Sequence, residues 1–119
     1  MRKCILIYED DPELSEICQA LLAQPDRHIE VKDRCDHIIS DIEQFKPGVI
    51  LMDLWIPEMG GKKATVLIKD NPDTKGIPVI LFSANPEIDK ISTEVNADGY
   101  ITKPFDIAIF RETVEKNIL

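Results

Sequence analysis

Apolar residues along the chain fall into two alternating rhythms. Cys4-Ile5-Leu6-Ile7-Tyr8, Gly48-Val49-Ile50-Leu51-Met52 and Pro78-Val79-Ile80-Leu81-Phe82 are short, nearly continuous apolar runs, and an acid or a serine follows each. Such runs predict strands buried on both faces. Ile29-Glu30-Val31 and Gly99-Tyr100-Ile101-Thr102 are weaker strand candidates. Between the runs the period becomes helical. Leu14, Ile17, Cys18, Leu21 and Leu22 follow Asp11, a natural N-cap, and Pro12, suited to the first helical position. Ile38, Ile39, Ile42 and Phe45 repeat the stripe up to Pro47, and Ala64, Leu67 and Ile68 carry a shorter one closed by Asn71-Pro72. Ile88, Ile91 and Val95 form another. Phe105, Ile109, Phe110, Val114 and Ile118 predict a last helix opened by Pro104.

Strand and helix therefore alternate five times, an α/β pattern in one domain spanning residues 1–119. Right-handed crossovers turn that order into a parallel sheet with helices on both faces. Ligands of such sheets bind outside the carboxyl ends of the strands. Composition narrows the field. The chain has 119 residues, 44% of them hydrophobic, with 14 Lys+Arg against 22 Asp+Glu and a net charge of -8. A negative surface repels phosphate backbones, so no direct nucleic-acid contact is expected. No apolar run is long enough to span a bilayer, and Glu9-Asp10-Asp11 follows the basic start too closely for a signal peptide, so no membrane association is expected. Cys4 and Cys18 read as small buried hydrophobes, and Cys35, in a polar stretch, as an exposed thiol. No cysteine accompanies His28 or His37 at zinc-ligand spacing. Three cysteines without a pairing pattern fit a reducing, cytoplasmic setting.

The predicted strand ends collect a specific set of groups: Glu9, Asp10 and Asp11 after the first, Asp53 after the third, Ser83 and Ala84 after the fourth, Lys103-Pro104 after the fifth. Carboxylates brought together repel unless protons or a cation compensate, and a hard divalent ion with oxygen ligands compensates best. An Asp beside Mg²⁺ can attack a phosphoryl donor, while a hydroxyl and an ammonium bind the transferring oxygens. Each residue also has a plainer reading. Asp11 and Ser83 serve as helix caps, Asp53 as a turn residue, Lys103 as a solvated lysine and Tyr100 as a half-buried strand residue. Their joint placement at separate strand ends favours the chemical reading.

The segments Ile5-Leu6-Ile7-Tyr8-Glu9-Asp10-Asp11-Pro12, Val49-Ile50-Leu51-Met52-Asp53-Leu54-Trp55-Ile56-Pro57-Glu58-Met59-Gly60-Gly61, Pro78-Val79-Ile80-Leu81-Phe82-Ser83-Ala84 and Gly99-Tyr100-Ile101-Thr102-Lys103-Pro104-Phe105 together resemble the receiver domain of bacterial two-component response regulators. The resemblance spans essentially the whole chain. It implies a flavodoxin-like sheet of strand order 2-1-3-4-5 and an Mg²⁺ (or Mn²⁺) site formed by Glu9, Asp10, Asp53 and the backbone carbonyl of Trp55. It makes Asp53 the phosphoryl acceptor, Lys103 and Ser83 the groups that bind phosphoryl oxygens, and Ser83 with Tyr100 the switch pair. Lys103-Pro104 is commonly cis in that family. The implied donor is a sensor histidine kinase or a histidine phosphotransfer protein. The implied readout surface is the fourth helix, fifth strand and fifth helix (residues 87–119), facing an unidentified downstream protein, with a phosphorylation-dependent dimer as a further expectation. The departures are modest: Glu9 stands where Asp is more usual, Ser83 replaces Thr, and Gly60 replaces a frequent Asp. Trp55, two residues beyond the acceptor, is expected to slow hydrolysis.

Other classes remain in view. A haloacid-dehalogenase-like Mg²⁺ phosphatase needs a second acid two residues after its nucleophile, where Trp55 stands, so no turnover enzyme is expected. A pseudo-receiver that binds partners without phosphorylation would normally have lost the acceptor, the acids or the lysine. A flavodoxin-like cofactor binder lacks its Ser/Thr/Gly-rich loop after the first strand. With the last helix ending near Leu119, no output domain is expected, as in a stand-alone regulator or an excised receiver.

Overall fold

The computed structural model describes residues 3–56 and 59–119. Met1 and Arg2 of the basic start, and Pro57 and Glu58 of the acceptor segment, lie outside the described residues. Ten elements alternate: β1 (Lys3–Tyr8), α1 (Pro12–Leu22), β2 (Arg27–Lys32), α2 (Ile38–Phe45), β3 (Val49–Asp53), α3 (Gly61–Asp70), β4 (Val79–Ser83), α4 (Ile88–Glu94), β5 (Gly99–Thr102) and α5 (Ile107–Asn117). The strands form one parallel sheet in the order β2-β1-β3-β4-β5, as the resemblance implies.

Burial on both faces explains why the continuous runs became strands. Apart from the terminal Lys3, Asp53 and Ser83, β1, β3 and β4 are apolar because alternate residues feed two separate cores. Leu6, Tyr8, Ile50, Met52, Val79 and Leu81 pack against α2, α3 and α4. Ile5, Ile7, Val49, Leu51, Ile80 and Phe82 pack against α1 and α5. No helix among the described residues is long and apolar enough to cross a membrane.

Some local expectations change. α5 begins at Ile107 rather than Pro104, because Asp106 caps it by accepting the Ile109 N–H. Cys35 is fully buried rather than exposed: the β2–α2 connection folds under the loop before α3, and its thiol donates to the Gly60 carbonyl (3.6 Å). Burial raises the pKa of that thiol. In α1 the buried line is Ser15, Cys18 and Leu22, and Ile17 is 51% exposed. Thr65 takes the core position that Leu67 was expected to share, donating its hydroxyl to the Gly61 carbonyl (2.8 Å).

Candidate functional site

Four connections leave the carboxyl ends of β1, β3, β4 and β5 on one edge of the sheet, and the candidate residues sit on them. Glu9 follows β1 directly. Its backbone N–H continues the ladder to the Lys32 carbonyl (3.0 Å), so its side chain starts from a fixed point. Asp11, as N-cap of α1, accepts the N–H groups of Glu13 and Leu14. The Asp11 N–H in turn donates to Glu9 Oε2 (3.2 Å). Asp11 thus takes the cap reading, and Asp10, exposed between the two, is left to face the acceptor.

Asp53 ends β3 with its carboxylate buried. It accepts the Trp55 N–H at Oδ1 (3.0 Å) and the Lys103 ammonium at Oδ2 (3.3 Å). Lys103 also donates to Glu9 Oε1 (3.0 Å). One carboxylate oxygen from each of Glu9, Asp10 and Asp53 lies within 4.8 Å of the others. Three carboxylates against one ammonium leave two negative charges at close quarters when all are ionised. The physical consequence appears at Glu9. Burial and the neighbouring Asp53 push its carboxyl up to about 7, against the pull of Lys103 and the Asp11 N–H. Burial lowers the Lys103 pKa, but Glu9 and Asp53 outweigh it and the ammonium is held above its ordinary value.

This donor set fits a hard divalent cation: oxygen ligands, a surplus of two charges, and one carboxyl pushed toward protonation without further positive charge. Ser83, fully buried at the end of β4, accepts the Asn85 N–H at its hydroxyl (3.0 Å), and its carbonyl accepts the Lys103 N–H (2.9 Å). Tyr100, on edge strand β5, is exposed, and Trp55 is 69% exposed beside the cluster. The Lys103–Pro104 peptide bond is cis.

Sequence reasoning missed two supports of the site. Gly61 opens α3 against the acceptor strand: a Cβ there would lie 2.3 Å from the Asp53 carbonyl oxygen, so a side chain would push α3 off β3. The Gly60-Gly61 pair was the available signal. Phe82 lies beneath Lys103, with Nζ 4.4 Å from its ring centroid. Nothing local in the sequence marks that contact, because it joins β4 to the end of β5. An apolar depression of about 440 Å³ lined by Leu14, Ile17, Ala84, Pro104 and Phe105 borders Lys103.

Comparison with known proteins agrees with this fold. The model of the response regulator receiver domain matches residues 5–115. The phosphate regulon transcriptional regulatory protein PhoB of Klebsiella pneumoniae is 32% identical over 108 residues, 88% of this chain and 47% of that protein. The signal receiver domain of a signal transduction histidine kinase from Syntrophus aciditrophicus is 29% identical with a TM-score of 0.85, covering 96% of this chain and 88% of that one. The Mn²⁺-bound form of response regulator Rcp1 is 26% identical with a TM-score of 0.78, covering 96% of this chain and 90% of that one. The chain spans less than half the length of curated relatives such as PhoB, 47% of that protein. Receiver domains are signalling modules rather than turnover enzymes, and histidine kinases phosphorylate them. On the match over residues 5–115, the chain belongs to the receiver-domain family of two-component response regulators.

Proposed function

We propose that this receiver takes a phosphoryl group onto Asp53 from a phosphohistidine of a sensor kinase or phosphotransfer protein, in an Mg²⁺- or Mn²⁺-dependent reaction. The observation that carries the reading is the convergence of Glu9, Asp10 and Asp53 within 4.8 Å with the Lys103 ammonium on two of them. Glu9, Asp10, Asp53 and the Trp55 carbonyl are the residues that would hold the metal, which is present in the related Mn²⁺-bound Rcp1. When bound, the divalent ion supplies positive charge to the phosphoryl oxygens.

The remaining steps belong to the chain. An Asp53 carboxylate oxygen attacks phosphorus, the P–N bond to the donor imidazole breaks, and the imidazole leaves carrying its electron pair. Lys103 exchanges a carboxylate for a phosphoryl oxygen, and Ser83 releases the Asn85 N–H to donate its hydroxyl to another. Movement of Ser83 opens space toward which exposed Tyr100 turns, and the α4–β5–α5 face changes shape. A downstream protein reads that face, and a phosphorylation-dependent dimer would use the same surface. The apolar depression beside Lys103 gives the donor protein a dry contact next to the acceptor.

Intact mass after incubation with acetyl phosphate and Mg²⁺ tests the reading. One added phosphoryl group is expected, absent with EDTA and in Asp53→Asn. Incorporation that survives Asp53→Asn would assign the acceptor elsewhere. No incorporation, together with no binding of beryllofluoride, would leave a phosphorylation-independent binding module.

A further inference from the structure

Phe82 is buried one residue before Ser83 and sits beside Asp53 in the β3–β4 register. Two aromatic rings form its surroundings. Phe105 lies 5.5 Å and Phe110 5.9 Å from Phe82 between centroids, and those two stack at 4.8 Å. The loop after β5 and helix α5 thus fix the plane of the Phe82 ring independently of any charged group. On that ring rests the Lys103 ammonium, 4.4 Å from the centroid. Two other contacts of Nζ are carboxylates, Glu9 at 3.0 Å and Asp53 at 3.3 Å.

We propose that Phe82 is a positioning residue for phosphoryl transfer, its π face holding the Lys103 ammonium over the acceptor while the anionic partners of that ammonium change. The inference rests on the assignment of Asp53 as acceptor. A cation is attracted to the negative face of an aromatic ring, most strongly where water is excluded. Glu9 and Asp53 bind Lys103 through oxygens that are redirected when a phosphoryl group arrives, whereas the ring contact needs no rearrangement. An aliphatic side chain at position 82 would fill the same space but leave the ammonium free to follow Glu9 or turn to solvent.

Two measurements test this on the full chain. In the first, phenylalanines bearing one, two and three fluorines replace Phe82, keeping shape while weakening the π face, and phosphoryl incorporation from acetyl phosphate is timed at saturating Mg²⁺. The rate is expected to fall stepwise, about three- to tenfold across the series, and to stay flat in a Lys103→Gln background. In the second, NMR of Lys103 is expected to place its ε-methylene protons upfield, under the ring current, and to release them in Phe82→Leu. An unshifted ε-methylene, a flat series in a parent that labels normally, or an equal slope in Lys103→Gln would overturn the role of Phe82. A parent that neither labels nor binds beryllofluoride would overturn the acceptor assignment and this role with it.

Discussion

Lys69 and Lys103 are anchored at opposite ends of the same sheet, and their partners differ in kind. Lys69, near the end of α3, donates to the carbonyls of Lys75 (3.1 Å) and Ile77 (2.8 Å) and to Asp98 Oδ2 (2.7 Å). Asp98 Oδ2 also accepts the Val79 N–H (2.8 Å), so one ammonium and one carboxylate tie α3 to the start of β4 and to the turn before β5. All three ammonium protons are used, and one positive charge meets one negative charge. That end is closed. Lys103 instead faces Glu9 and Asp53, with Asp10 beside them and an aromatic face beneath. There the charges do not balance, and a carboxyl drifts toward protonation. The difference shows how one fold separates a structural ion pair from a reactive one: saturation fixes a lysine, while a surplus of anions leaves it exchangeable and leaves room for a cation.

Replacing each lysine by methionine should separate the two ends most sharply in phosphoryl incorporation. Lys103→Met is expected to slow incorporation at Asp53 by about a hundredfold, the size of losing one donor to a transferring group. Lys69→Met should label at the parental rate. Equal losses in the two variants, timed by intact mass, would erase the distinction.

Stability should rank them the other way. Lys69→Met is expected to cost about 2–3 kcal/mol in urea unfolding, since it strips the Lys75 and Ile77 carbonyls of a donor and Asp98 of its partner. Asp98 is 39% exposed on its side chain, which keeps the figure below that of a fully buried pair. Lys103→Met in metal-free buffer at pH 8 should cost about 1–2 kcal/mol, because repulsion between Glu9 and Asp53 loses its compensation. Mg²⁺ is expected to recover that loss but not the loss in Lys69→Met.

The two ends should also differ in their response to pH. Glu9 is raised in the folded chain from 4.5 to about 7, so the folded state holds a proton that the unfolded state has released. Metal-free stability should therefore fall as pH rises from 4.5 to 7 and level off above, by linkage. Divalent-cation affinity should run the opposite way, weakening by up to about tenfold per pH unit below 7 as Glu9 takes up its proton. Glu9→Gln is expected to flatten both profiles; a slope unchanged in that variant would place the titration on another group.

What the sequence disclosed follows the range of the forces involved. β1, β3 and β4 were legible because burial on both faces demands unbroken apolar runs. β2 was faint because it is an edge strand whose Ile29 and Val31 are only partly buried. Asp11-Pro12 announced α1 through purely local cap chemistry, whereas the start of α5 was misplaced because Pro104 suggested a first helical position and Asp106 supplied the cap. Cys35 deceived because its polar neighbours describe the chain locally and not the loop that covers it. Glu9, Asp10, Asp53 and Lys103 could be placed together from topology alone, since parallel strands deliver their carboxyl ends to one edge. Gly61 and Phe82 could not, because a close backbone approach and a ring under a cation exist only after β3, β4 and β5 have paired.

The charge surplus at the carboxyl end is tested most directly by an anomalous difference map from crystals of the metal-free chain soaked in Mn²⁺. The account predicts one peak among the carboxylates of Glu9, Asp10 and Asp53, absent in Asp10→Asn, with Lys69 undisturbed at the other end. No peak there at millimolar Mn²⁺, or a peak that persists in Asp10→Asn, would contradict it.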